Sequence, residues 1–289
     1  MQSTTARAAA FAIVLCLYSV PSQAWWGNGH GILTQAAVLA QPQEVPAFFR
    51  NGAAQVAHMS FDPDIAKNRA AAPHLYDGEF PEHFFDLELL EGADVPGKRH
   101  DFIALCESLG VASDKVGYAP YAITEYTERL MVAFAEHRKW PDKQMIQAKI
   151  FVYAGVLAHY AEDIVQPLHA TIYYDGRIGE GGEKMHAGIH ETVDSVIERL
   201  EMHPAQLAAS VTVAPFEGDL FEAVISQAYE SNGQVDRVYD LSGSLDPVTE
   251  QGRYFARERA NRAVAFTASL YLTAWQQSES VRLPGWLER

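Results

Sequence analysis

His159-Tyr160-Ala161-Glu162-Asp163-Ile164-Val165-Gln166-Pro167-Leu168-His169 is the stretch on which the reading of this chain turns. It closes a longer run, Lys143 to Val165, that is apolar nearly all round, with Ile146, Ile150, Phe151, Leu157 and Ile164. A helix of that kind lies in the middle of a domain. His159 and Asp163 inside it therefore need partners or a metal, because a buried ionisable group without either is costly. They stand four apart, so they share one helix face a turn apart. Imidazole nitrogen and carboxylate oxygen both suit zinc, and the pair can grip one ion. Pro167 predicts a helix end near Gln166. His169 then turns away and can serve a second ion.

The pattern recurs at His190 and Asp194, again four apart. A single such pair is most often a surface hydrogen bond. Two pairs with a third histidine between them, one of them in the most apolar helix of the chain, point to a multi-metal site.

Around this block the predicted elements are helices. Gly31 to Gln41 and Tyr121 to His137 have helical patterns, the latter with Leu130, Val132 and Phe134 apolar. His190 to Leu200 reads as one amphipathic helix, with Val193, Val196, Ile197 and Leu200 apolar. Asp246-Pro247 reads as an N-cap followed by proline at the first helical position, opening a helix to about Gln276. Asp62 to Asp77 is polar and irregular. Asp175 to Gly188 carries five glycines and reads as a mobile loop. Strand patterns are scarce and there is no repeat or linker. The expected fold is all-α, a single mainly helical domain with a metal cleft between helices.

The chain has 289 residues. Its start reads as a secretory signal peptide over residues 1–24, with Arg7, the short apolar run Ala8 to Val20, and Ser22-Gln23-Ala24 as a small-x-small cleavage signal. The folded domain is then 25–289, exported to the periplasm or secreted. No later stretch is long and apolar enough to span a membrane. Cys106 is the only cysteine after Cys16, so that domain has no internal disulfide and is held by packing or metals. The net charge is −15, and the leader contributes only Arg7 to it. Such an acidic chain is unsuited to broad charge-driven binding of duplex nucleic acid. Substrates captured by bound metal ions remain open to it.

Trp25-Trp26-Gly27-Asn28-Gly29-His30 resembles the mature start of the fungal and plant single-strand-specific nucleases, a family that shares a superfamily with the bacterial zinc-dependent phospholipases C. Further blocks match in order: Pro63-Asp64-Ile65-Ala66-Lys67, His83-Phe84-Phe85-Asp86, the His159 to His169 block, and His190-x-x-x-Asp194. The resemblance implies three zinc ions. One would take Asp64, His83, His159 and Asp163, and a second His169, His190 and Asp194. The third would take His30, Asp163 as a bridge, and the α-amino nitrogen and carbonyl oxygen of Trp25. That free amine exists only after cleavage behind Ala24. Asp64 is preferred to Asp62 because Lys67 follows it at the offset where those nucleases carry a basic residue. Glu162 departs from the family, which has glycine there. It reads as an outward acid or as a group narrowing the site.

The chemistry implied is phosphodiester hydrolysis, in which paired zinc ions lower the pKa of a shared water to roughly 7. Asp64 would orient that water and Lys67 would neutralise charge on the phosphoryl group, unless it is a solvated surface lysine. Phe84 would stack a nucleobase and Asp86 would accept from its edge, although Phe84 and Phe85 also read as plain core. Substrates compatible with this pattern are single-stranded DNA or RNA, or a nucleotide 3′-phosphate. The alternative is a phospholipase C cleaving a phospholipid headgroup, which needs an apolar entrance beside the cleft. A non-catalytic zinc-binding protein is a third reading. His190-Glu191-x-x-Asp194 fails the metallopeptidase pattern. His186, four before His190, reads as a loop residue or as a surplus ligand, and His58, His74, His100, His137 and His203 read as ordinary histidines.

Overall fold

The structure is a computed structural model that describes residues 25–287; the expected signal peptide lies outside the described residues. The described chain is mainly helical and forms one domain. Its centre is the helix Gln144–Val165, in which every residue from Ala154 onward is buried. Ala119–Lys139 and Glu250–Gln277 pack along it, and Gly27–Leu39 and Ala53–Met59 close over its second half. Phe49, Phe134 and Tyr271 meet edge-on in the core, at centroid distances of 5.5 and 5.3 Å from Phe49.

Packing, more than capping, holds these helices. Of the five longest, only Leu220–Asn232 and Glu250–Gln277 have a side-chain N-cap, Asp219 and Thr249. A cap is worth about 1 kcal/mol. Full burial of one Leu or Phe is worth about 1.5–3 kcal/mol, and this core buries dozens of apolar side chains.

Several expected elements shift. The first helix starts earlier, at Gly27. His190 to Leu200 is two short helices, Ile189–Asp194 and Val196–Arg199, meeting at Ser195. The last long helix opens at Glu250, because Thr249 accepts from the Gly252 amide at 3.3 Å while Asp246 pairs with Arg199 instead. Asp62 to Asp77 is not irregular: it holds the helix Asp62–Ala66 and the start of Pro73–Glu79. The glycine-rich stretch contains a two-residue antiparallel ladder, Arg177–Ile178 against Lys184–Met185. Val132 faces outward, 41% exposed.

Gly155 decides how closely the His159 side of the fold can close. A Cβ there would lie 2.4 Å from Met59 Cβ and 2.7 Å from the Val56 carbonyl oxygen. Its absence lets Ala53–Met59 settle on the central helix, and the chain then carries Ser60 to His159 one turn on. Gly155→Ala is expected to keep the helical far-UV spectrum yet lose about 2–3 kcal/mol in denaturant unfolding, the cost of overpacking against backbone. An unchanged midpoint would contradict that close contact.

Candidate metal centre

Five segments converge on the second half of the central helix. That helix supplies His159, Glu162 and Asp163; the first helix supplies His30 and Thr34. Asp62–Ala66 brings Asp64, with Lys67 as its C-cap residue. A 3-10 turn, Phe80–His83, delivers His83, and a second, Pro167–His169, delivers His169 where Pro167 has ended the helix. Ile189–Asp194 presents His190 and Asp194 from one face.

Three groups of ligand atoms result: Asp64, His83 and His159; His169, His190 and Asp194; and His30, His159 and Asp163. Each could hold a metal ion. The outer contacts select which nitrogen faces inward. His159 Nδ1 donates to the Ser60 carbonyl at 2.8 Å, which leaves Nε2 3.0 Å from His83 Nδ1 and 3.7 Å from Asp64 Oδ1. His169 Nδ1 donates to the His83 carbonyl at 2.7 Å, and its Nε2 lies 2.9 Å from His190 Nε2. His190 Nε2 is 3.3 Å from Asp194 Oδ2, while Asp194 Oδ1 accepts from Gln166 Nε2 at 2.7 Å. His30 Nε2 and Asp163 Oδ1 face each other at 3.2 Å without hydrogen-bonding geometry. A tetrahedral zinc with bonds of about 2.0–2.1 Å spaces its donors about 3.3 Å apart. The observed gaps scatter around that value, and the mixed imidazole and carboxylate set suits the ion.

Asp163 joins the groups. Its carboxylate also lies 2.9 Å from His83 Nδ1 and 3.5 Å from His159 Nε2. Burial works to raise its pKa, yet the surrounding histidines hold it well below the ordinary value. Asp64 is likewise held at about 2, against its burial, by His159, Lys67 and His83. His83, His159, His169 and His190 are pushed down, chiefly by burial, so the neutral ligand form prevails. His30 goes the other way, to about 10: burial opposes its charge, but Asp163 and Glu162 favour a cation beside them. A pocket of ionised carboxylates in which four of the five imidazoles are neutral calls for multivalent cations.

Asp62 is exposed and outside the groups, which favours Asp64 as the sequence reading does. Lys67 is not a surface lysine: it is buried, with Nζ 2.6 Å from Asp64 Oδ1. Phe85 is core, against Phe102. Phe84 and Asp86 alternate with buried Phe85 and Leu87, so both keep partial exposure. Trp25 is buried and its indole donates to the Glu162 carbonyl at 3.0 Å. His186 joins none of the three groups.

Glu162 is neither outward nor in the cleft; it stands behind His30, 2.8 Å from its Nδ1. Sequence reading also gave Gln166 and Ser60 no part. Only the Gln-Pro-Leu-His block hinted at Gln166, and a main-chain carbonyl such as that of Ser60 leaves no residue signature. No family model matches the chain, and no curated protein sequence matches it.

Asp86 provides a pH test. Burial, then the nearby Glu88, raises its carboxyl to about 7 from 3.8. Glu88 itself accepts hydrogen bonds from the Thr171 hydroxyl, the Ile172 amide and the Asn232 side chain. The folded chain thus holds a proton on Asp86 that the unfolded chain releases above about pH 4. Its stabilising effect is whole below that pH and is lost as pH rises to about 7. Asp86→Asn should therefore unfold at higher denaturant than wild type above pH 7, by roughly 1–3 kcal/mol, with no gain below pH 4. A gain independent of pH would contradict the shift.

Proposed function

We propose that this chain is an exported zinc-dependent phosphodiesterase that cleaves single-stranded nucleic acid, with 3′-phosphate removal from nucleotides as a related activity. The observation that carries the reading is the set of three His and Asp groups, two of them joined by Asp163, spaced as zinc ligands are. Zinc held there supplies an activated water near neutral pH and charge to oppose the phosphate. The chain's own groups do the rest. Asp64, ionised and aimed into the centre, holds the attacking water's proton side. Lys67 places an ammonium within the same pocket, where it neutralises charge growing on the phosphoryl oxygens. Phe84 and Asp86, on one side of an extended stretch directly after His83, suit a stacked base and its hydrogen-bonding edge. With its carboxyl near 7, Asp86 donates to that edge in mild acid and accepts from it above.

Cleavage after Ala24 leaves Trp25 as the first residue, and its amine and carbonyl join His30 at the third group. The buried indole supports this, since it fixes Trp25 beside the residue that holds His30.

A phospholipase C reading draws on a different observation. Ile65, Leu75 and Phe80, between two ligands, are 67%, 50% and 37% exposed, and Ile172, Tyr173 and Tyr174 after His169 are also exposed. Such side chains would suit an apolar entrance.

Purified chain starting at Trp25 should release nucleotides from single-stranded DNA and RNA, stop after chelation, and recover with zinc. Hydrolysis of phosphatidylcholine alone would move the assignment to the lipase. Full activity after exhaustive chelation would remove the metal from the mechanism. Asp64→Asn should lower kcat/KM by more than about a hundredfold and reduce zinc content, since even outer partners of ligands cost about 10–100-fold. Asp62→Asn should match wild type in both.

A further inference from the structure

We propose that Glu162 is a positioning residue that orients His30 toward a metal ion, as a carboxylate–imidazole–metal relay. It rests on the metal-centre reading above. Glu162 is fully buried and precedes Asp163 by one residue. Neighbouring positions on a helix point about 100° apart, so Asp163 enters the shared centre while Glu162 reaches behind it to the first helix. There both carboxylate oxygens are used. Oε2 lies 2.8 Å from His30 Nδ1, and Oε1 accepts from Thr34 Oγ1 at 2.9 Å. Thr34 stands one turn beyond His30, so the two side chains approach Glu162 from one helix face.

This arrangement fixes two properties of His30. When a metal ion takes the place of the Nε2 proton, the proton that stays on Nδ1 is donated to Glu162, and the Nε2 lone pair points to the side where Asp163 Oδ1 lies 3.2 Å away. The ring plane is set by stacking on His159, with centroids 4.0 Å apart and planes 24° apart. The main-chain carbonyl of Glu162 meanwhile receives the Trp25 indole. One residue therefore orients the His30 ring through its side chain and places Trp25 through its backbone.

A purely structural hydrogen bond does not require a carboxylate here. Burying one is costly, and an amide of the same shape would serve packing at lower cost. The charge has a purpose when a cation lies on the far side of the imidazole, because a carboxylate behind a ligating histidine raises its basicity. The expected dependence is on one metal position, the His30 group, and not on the whole centre.

The test uses the chain from Trp25, loaded with zinc, as wild type, Glu162→Gln, Glu162→Ala and Thr34→Val. Zinc is counted by elemental analysis, and its affinity is read by competition with a chromogenic chelator. One zinc equivalent should weaken about 10–100-fold in Glu162→Gln and more in Glu162→Ala, with the remaining equivalents unchanged. Thr34→Val should weaken the same equivalent less. Nitrogen-15 NMR should show His30 losing its single Nδ1–H tautomer in Glu162→Ala. Far-UV spectra and melting curves check folding, and the near-isosteric Gln variant carries the test if the Ala variant does not fold. Wild-type affinity at every equivalent, or uniform weakening of all of them, overturns the proposal. A wild-type chain that binds no zinc overturns the metal reading itself, and this inference with it.

Discussion

The structure depends on one buried carboxylate. Asp163 lies in the most enclosed part of the longest fully packed stretch and is shared by His30, His83 and His159 at 3.2, 2.9 and 3.5 Å. An isolated charge at such a place would be lost to protonation or would unfold the helix. Convergence of imidazoles from its own helix and from two other segments makes it tolerable. The first helix and the Phe80–His83 turn bring His30 and His83 to it, and the Pro167–His169 turn sets His169 Nδ1 4.0 Å away while its Nε2 faces His190.

This constraint explains the irregular parts of an otherwise regular bundle. His83 and His169 sit on 3-10 turns, not on long helices, and each backbone serves the other: His169 Nδ1 uses the His83 carbonyl, and the Phe85 amide uses the His169 carbonyl at 2.8 Å. Gly117, with φ of +95°, performs a similar service beneath this layer. A Cβ there would fall 2.0 Å from the Phe84 carbonyl oxygen, and only glycine adopts that conformation freely in so tight a space. The ligand-bearing turns are thus clamped to each other and to the Ala119–Lys139 helix.

Much of this was legible in the sequence, for identifiable reasons. Asp163 and His159 announced themselves because a polar pair in an all-round apolar helix is an anomaly that needs a cause. Pro167 marked the helix end. Boundaries decided by competing local contacts were harder to read: Asp246 looked like a cap until Thr249 took that role and Arg199 took Asp246. The break at Ser195 leaves apolar residues on both sides, so periodicity alone does not show it. Glu162 carried the right chemistry but no direction, since its meaning comes from a first helix more than a hundred residues away in the chain. Lys67 was ambiguous for the same reason: burial is a property of the assembled fold.

The arrangement around Asp163 makes sense as a metal centre, and anomalous diffraction addresses that directly. Crystals of the chain beginning at Trp25, grown with zinc and measured on both sides of its absorption edge, should show edge-dependent peaks at the three groups, two of them within bonding distance of the Asp163 carboxylate. A map with no such peak beside Asp163, or with zinc only at surface carboxylates, would contradict it.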